Sequence, residues 1–359
     1  MKRNKELTGI TMSRVAGLVV LFTLAILSLS SGGEPQKAYD EALRLHKSGK
    51  IKEAIASYNA AISANPRSPE AYVGRGAAYA KLGQRERAIK DYSEAIRLNP
   101  KLPDAYYNRG NAYDDLKRHD QAVKDYDEAI RLNPKLTEAY NNRGFAYYKL
   151  GKIDQAIKDY DEAIRLNPKL PDAYYNRGNA YSVLNQHEQA VKDYSEAIRL
   201  RPKNARAYNQ RGNAHYALRQ FDKAIQDFAE TIRLDPKDAE AYYMRGLSHR
   251  HLGKQNEAVE DYTAALKLNP KYLEAYNNRA NAYSLRGQYD LALRDYDAAI
   301  KLAPKNASIY ANRGVVKLHQ GKNDEAESDF RKSLELDPSL KEKLEPLMSK
   351  ATGSPASKP

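Results

Sequence analysis

Small and aromatic residues recur along this chain at helical spacing, with charged residues between them. The stretch 69–102 shows the pattern. Tyr72, Gly76 and Tyr79 are four and three residues apart, so they share one face of a helix. Gly83 follows, suited to a left-handed helix stop. Ala88, Tyr92 and Ala95 then mark one face of a second helix, and Pro100 cannot continue it. Ser68 is placed to cap the first helix, with Pro69 at its first position. Asn204, Asp238 and Asn306 hold the same capping place further on. The pattern predicts a helical hairpin with small residues facing large ones.

The hairpin is not alone. Proline returns every 34 residues from Pro66 through Pro100, Pro134, Pro168, Pro202, Pro236, Pro270 and Pro304 to Pro338. Alanine returns at the same spacing from Ala54 to Ala326, and an aromatic stands four residues after each. Nine units result: 35–68, 69–102, 103–136, 137–170, 171–204, 205–238, 239–272, 273–306 and 307–340. One hairpin cannot bury both of its faces, so neighbours are expected to stack.

The set Tyr72, Gly76, Tyr79, Ala88, Tyr92, Ala95 and Pro100 resembles the tetratricopeptide repeat (TPR) pattern, with Tyr where that family often has Trp. The resemblance runs from 35 to 340. It implies an all-α fold, a right-handed superhelical α-solenoid whose concave groove is lined by the first helix of each hairpin. The departures are local. The first unit has Ala38 and Ala42 for the first Tyr and the Gly. His215, His249 and Lys317 replace the third Tyr of units six, seven and nine, and Thr231 and Ser333 replace the second Ala of units six and nine.

The ends read differently. Basic residues dominate 1–14, an uncharged and mostly apolar run fills 15–29, and small residues follow. These are the three parts of an export signal, placed at 1–34. Fifteen helical residues span about 22 Å, short of a roughly 30 Å hydrocarbon core. That favours a cleaved signal, giving a periplasmic or secreted protein; the alternative is an uncleaved anchor through 15–29 with the repeats outside the cytoplasm. After the last unit, 341–351 reads as a polar capping helix and 352–359 as a disordered tail by composition.

Two charged series run in parallel. Arg75, Arg109, Arg143, Arg177, Arg211, Arg245, Arg279 and Arg313 each precede the glycine place, and Asp91, Asp125, Asp159, Asp193, Asp227, Asp261, Asp295 and Asp329 each precede the aromatic. The first unit lacks both, with Glu41 and Ser57 instead. Their joint appearance predicts an Arg–Asp bridge between packed helices rather than a basic stripe along the groove.

Amides form a third series. Asn108, Asn142, Asn176, Gln210, Asn278 and Asn312 keep the repeat spacing, interrupted by Gly74 and Met244. Asn111, Asn179, Asn213 and Asn281 lie three residues further on, and Tyr107, Tyr175 and Tyr243 adjoin the first row. A carboxamide both donates and accepts, so such rows are candidates to hold the backbone of an extended peptide. This is similar to the asparagine ladders of peptide-binding TPR superhelices. Solvated residues copied by duplication are the plain alternative, since KLPDAYYNRGNAY occurs twice, at 101–113 and 169–181.

Composition adds limits. The chain has no Cys and no Trp but 28 Tyr, so disulfides and thiolate metal sites are excluded. Its seven His make no metal-ligand spacing, and His215 and His249 stand where tyrosine packs elsewhere, as core residues would. No phosphate loop or nucleophile motif is present, so the expectation is a non-catalytic chain without cofactor or metal, with no nucleic-acid partner and protein or peptide ligands. The formal net charge is +13, and basic residues gather at the unit ends: Arg97, Arg131, Arg165, Arg199 and Arg233, each followed four residues on by Lys101, Lys135, Lys169, Lys203 and Lys237. Cations suit helix C-termini. A solenoid docking on an anionic polymer or membrane surface is therefore the second reading, and an adaptor for a separate enzyme the third.

Overall fold

The computed structural model describes residues 33–352. The export segment read at 1–34, but for its last two residues, and nearly all of the 352–359 tail lie outside the described residues. The chain divides into two compact units, one ending at Leu184 and the other starting at Asn185.

In the first unit the helices are α1 (Glu34–Lys47), α2 (Ile51–Ala64), α3 (Pro69–Lys81), α4 (Arg85–Leu98), α5 (Pro103–Asp115), α6 (His119–Leu132), α7 (Thr137–Lys149), α8 (Ile153–Leu166) and α9 (Pro171–Val183). The second contains α10 (His187–Leu200), α11 (Ala205–Ala217), α12 (Phe221–Leu234), α13 (Ala239–His251), α14 (Gln255–Leu268), α15 (Leu273–Leu285), α16 (Tyr289–Leu302), α17 (Ala307–His319), α18 (Asn323–Leu336) and α19 (Lys341–Thr352). Within each unit every helix packs on the next, and the odd-numbered helices also touch one another: α1 on α3, α3 on α5, α5 on α7, α7 on α9, and likewise from α11 to α19. Each unit is thus an α-solenoid in which the first helices of the hairpins make one continuous face. No helix among the described residues is long and apolar enough to cross a membrane.

The core is the small-against-large packing that the spacing predicts. Tyr58, Tyr126, Tyr194, Tyr262, Phe228 and Phe330 are fully buried, as are Ala54, Ala122, Ala190 and their equivalents. A methyl group added to Gly144 would stand 2.8 Å from Tyr160 Cε1. The glycine therefore lets α7 and α8 approach closely. Ala280 fills the same place in the eighth repeat, above a buried Tyr296, so a methyl is tolerated where the hairpin gives a little.

Turns end the first helices by a left-handed residue. Gly83 has φ +78°, and Gln84 N–H donates back to Tyr79 O at 2.9 Å. Lys117, Asn185 and Arg219 take this conformation without being glycine, at φ 61°, 57° and 58°. The second helices stop before their prolines. Asn99, extended at φ −141° as residues before proline are, follows Leu98, and its side chain accepts from Lys101 N–H at 3.0 Å.

The capping expectation holds in part. Ser68 Oγ accepts from Ala71 N–H at 3.3 Å, and Asp238 Oδ1 accepts from both Glu240 and Ala241 at 3.0 Å. Asn204 and Asn306 make no side-chain cap. Leu102, Leu136, Leu170 and Tyr272 occupy the position elsewhere. The first helices are therefore started by packing and, at Pro69, Pro103 and Pro171, by a proline with helical φ. At the end, α19 runs through Pro346 and buries Leu344 against Ala326 and Phe330.

Candidate interaction face of the first helices

The arginine series is locked. Arg143 Nε and Nη2 donate to both carboxylate oxygens of Asp159 at 2.8 and 2.7 Å. The same fork joins Arg75 to Asp91, Arg109 to Asp125, Arg211 to Asp227, Arg279 to Asp295 and Arg313 to Asp329, and Arg245 pairs with Asp261. Fork geometry and burial make these strong charge-assisted pairs. Burial pushes the Asp125, Asp159 and Asp261 carboxyls up, and their arginines pull them back. Tyrosines flank the cation: Arg143 Cζ lies 5.5 Å from the Tyr140 ring centroid and 5.9 Å from that of Tyr147.

The remaining nitrogen reaches the preceding hairpin. Arg143 Nη1 donates to Asp127 at 2.6 Å, Arg177 to Asp161 at 2.5 Å and Arg313 to Asp297 at 2.5 Å. Hydroxyls take this role at Ser93, Ser195 and Thr263, bonded by Arg109, Arg211 and Arg279 at 3.0, 3.0 and 2.9 Å. Except for Arg245, whose place on the preceding hairpin is Ala229, these arginines tie two hairpins together, Arg75 through Asn59 at 2.7 Å, which the bridge predicted from sequence did not include. The signal was present, since polar residues recur at 59, 93, 127, 161, 195, 263 and 297.

The replaced tyrosines stay at the same spot. His215 is buried with Nε2 3.9 Å from Asp227, and half-buried His249 has Nε2 3.7 Å from Asp261. Burial lowers the pKa of both imidazoles. Lys317 in the ninth repeat binds Asp329 at 2.9 Å. Thr231 and Ser333, at the buried alanine place, donate to Asp227 O at 3.0 Å and to Ala307 O at 2.9 Å.

The amide rows lie on the first helices, half-buried for the most part. Much of their hydrogen bonding runs between neighbouring repeats. Asn142 Nδ2 donates to Tyr107 Oη at 3.2 Å and to Asn111 Oδ1 at 2.9 Å, both on the preceding first helix. Asn176 donates to Asn141 at 3.1 Å, Asn278 to Tyr243 at 2.9 Å and Asn312 to Asn277 at 3.4 Å, always 35 residues back. The second row accepts from the core: Tyr126 Oη donates to Asn111 at 2.8 Å and Tyr296 Oη to Asn281 at 2.6 Å. Asn213 donates to Asn209 at 3.0 Å and Gln210 at 3.4 Å. Asn179 and Tyr175 are half-buried on α9. Asn108 makes no side-chain hydrogen bond among the described residues, and no outgoing bond leaves the amide nitrogens of Asn111 or Asn281. Asn141 and Asn277, which fill in other units the repeat place of Tyr107, Tyr175 and Tyr243, are receiving partners that the candidate rows left out.

The arginines at the unit ends are neutralised. Arg97, Arg131, Arg165, Arg199 and Arg233 each pair with a glutamate three residues earlier, Glu94, Glu128, Glu162, Glu196 and Glu230.

Stacked helical hairpins whose first helices make a continuous face within each unit define a repeat scaffold of the protein-interaction type. Family models described as TPR repeat match residues 42–83, 79–117 and 146–182. Models described as tetratricopeptide repeat match 103–136, 171–204, 273–306 and 307–340, with 209–272 and 125–158 matched besides. The chain belongs to the tetratricopeptide repeat family. Among solved structures it is similar to the C-terminal part of a TPR repeat-containing protein from Cytophaga hutchinsonii, at 21% identity over 66% of this chain and 97% of that one, TM-score 0.56. A tetratricopeptide repeat protein from Parabacteroides merdae matches at 20% over 66% and 94%, TM-score 0.51. YrrB, described as a TPR protein with an unusual peptide-binding site, matches at 24% over 51% and 95%, TM-score 0.47. Comparison with curated proteins returns no significant match.

Proposed function

We propose that this chain is an exported, non-catalytic scaffold that binds extended polypeptide along the first-helix face. The observation that carries the reading is the surplus of amide donors there. Asn111 and Asn281 use their carbonyls within the protein and leave their N–H groups for a ligand's backbone carbonyls. Asn108 keeps both functions. Half-buried Tyr175 and Tyr243 beside the rows offer apolar contact, whereas Tyr107 is buried in the core.

Magnitude bounds the affinity. Five neutral hydrogen bonds at about 1 kcal/mol each reach about 5 kcal/mol, and a micromolar complex needs about 8 kcal/mol. Because Asn142, Asn176, Asn278 and Asn312 already serve neighbouring repeats, tyrosine contacts and multiple repeats must supply most of the rest. The test is photo-cross-linking in intact producing cells from position 108, compared with exposed Lys124 on α6. Partners captured from 108 and not from 124 support the reading. Identical capture from both positions refutes it.

Export rests on the basic, apolar and small-residue succession at 1–34. It is tested by sequencing the N-terminus of the mature protein and locating it by fractionation. A mature chain that starts at Met1 and lies in the cytoplasm would refute export.

A further inference from the structure

In five repeats the end of the second helix carries a Glu–Arg pair, but in the seventh and eighth that arrangement is broken. Ala264 and Ala298 stand where the sister repeats have glutamate, and Lys267 and Lys301 stand where they have arginine. Lys271 and Lys305 follow in the loops. All four lysines are exposed and make no ion pair among the described residues. The loss of glutamate has a second effect. Residues four apart share a helix face, so a long side chain at 264 or 298 would lie over Leu268 or Leu302. With alanine there, these leucines are 41% and 40% exposed, while Leu98, Leu132, Leu166, Leu200 and Leu234 are half-buried.

We propose that this edge of the seventh and eighth repeats, Lys267, Leu268, Lys271, Lys301, Leu302 and Lys305, docks on an anionic phospholipid surface. Three features fit that partner. Four unpaired cations within two loops and helix ends attract anionic headgroups. Lysine is a hydrated point charge on a flexible stem, suited to diffuse negative charge, whereas the arginine it replaces is a fork matched to carboxylate. Each lysine pair brackets an exposed leucine, which enters the apolar boundary below the headgroups while the lysine stems reach up to them. The proposal is independent of peptide binding on the first-helix face.

The full chain is tested for co-sedimentation with phosphatidylcholine vesicles, with and without phosphatidylglycerol. The informative variant is Ala264→Glu with Ala298→Glu, which restores the glutamate that five sister repeats carry three residues before the cation and so keeps the fold. Neutralising two charges near the surface should lower partitioning to the anionic vesicles about thirtyfold. Lys271→Ser with Lys305→Ser, confined to the loops, should lower it similarly. Lys124→Ala with Lys158→Ala, the same charge loss elsewhere, should change it less than about threefold, since screening limits distant charge. All variants share residues 1–34, so that segment cannot account for a difference between them. Equal anionic binding by wild type and the double-glutamate variant overturns the proposal. So does capture by immobilised polyglutamate with no preference for anionic over neutral vesicles, which would make the occupant an acidic polypeptide.

Discussion

Replacing Arg143 by alanine removes both oxygens' partners from Asp159, whose side chain is only 8% exposed, and one partner from Asp127. It also takes the guanidinium away from Tyr140 and Tyr147. Breaking a buried pair from one side costs about 3–5 kcal/mol, because the remaining charge is left uncompensated. Arg165→Ala is the matched control. Its pair with Glu162 has the same 2.6 Å class of contact, but the arginine side chain is 67% exposed; exposed pairs are worth about 0–1 kcal/mol. Urea denaturation followed by circular dichroism reads both variants. The pH dependence has a definite sign. Burial already pushes the Asp159 carboxyl up, and without Arg143 it rises further. A folded pKa above the unfolded one means stability lost as pH rises, so the deficit of Arg143→Ala is largest near neutrality and narrows on acidification. Losses of equal size in Arg143→Ala and Arg165→Ala would refute the assignment of the arginine series to the lock.

Other outcomes follow from the same packing. Gly144→Ala should change stability by no more than about 1 kcal/mol, because about 1 kcal/mol of helix propensity offsets the contact with Tyr160, whereas Gly144→Val should lose about 3 kcal/mol by overpacking; thermal melts compare them. Asn142→Ala should lose about 1–2 kcal/mol with its two cross-repeat bonds, while Asn108→Ala leaves melting unchanged and weakens ligand binding, as calorimetry with a captured partner would show. His215 and His249 have folded pKa values lowered by burial, so their contribution is complete above the unfolded value of about 6.5 and lost as pH falls below it. His215→Tyr with His249→Tyr should therefore flatten the loss of stability between neutral and mildly acidic pH, measured by denaturant midpoints.

The fold was legible in the sequence because each structural demand is repeated. A buried aromatic facing glycine or alanine, a left-handed stop and a pre-proline helix end each recur at one spacing. The stop could be read at Gly83 but not at exposed Lys117 or Arg219, where the same backbone closure, Arg118 N–H to Tyr113 O at 2.9 Å and Gln220 N–H to His215 O at 2.8 Å, holds a side-chain residue in that conformation. The Arg–Asp bridge was legible because its members appear and vanish together. The candidate site was less so. Spacing showed that Asn142 and Asn176 share a row, but not that they donate to Tyr107 and Asn141 on the neighbouring helix. That pairing is offset by 35 residues, not 34, and depends on how far one first helix slides along the next. Likewise the glutamates beside Arg97 and Arg131 were visible, yet their effect on the leucine one turn later needs the helix surface.

The grip of each arginine on the hairpin before it is uneven. Arg143, Arg177 and Arg313 hold a carboxylate there, and Arg109, Arg211 and Arg279 hold a hydroxyl. Arg245 meets neither, because Ala229 stands at that place in the sixth repeat. Pulled from its ends, an array of nearest-neighbour joints parts at the weakest one. The joint between the sixth and seventh repeats is closed instead by His251, stacked on Phe221 at 4.5 Å between ring centroids and 3.0 Å from Tyr216 Oη, so Tyr216→Ala with Phe221→Ala should make repeats 239–340 the first to detach in a force-extension trace.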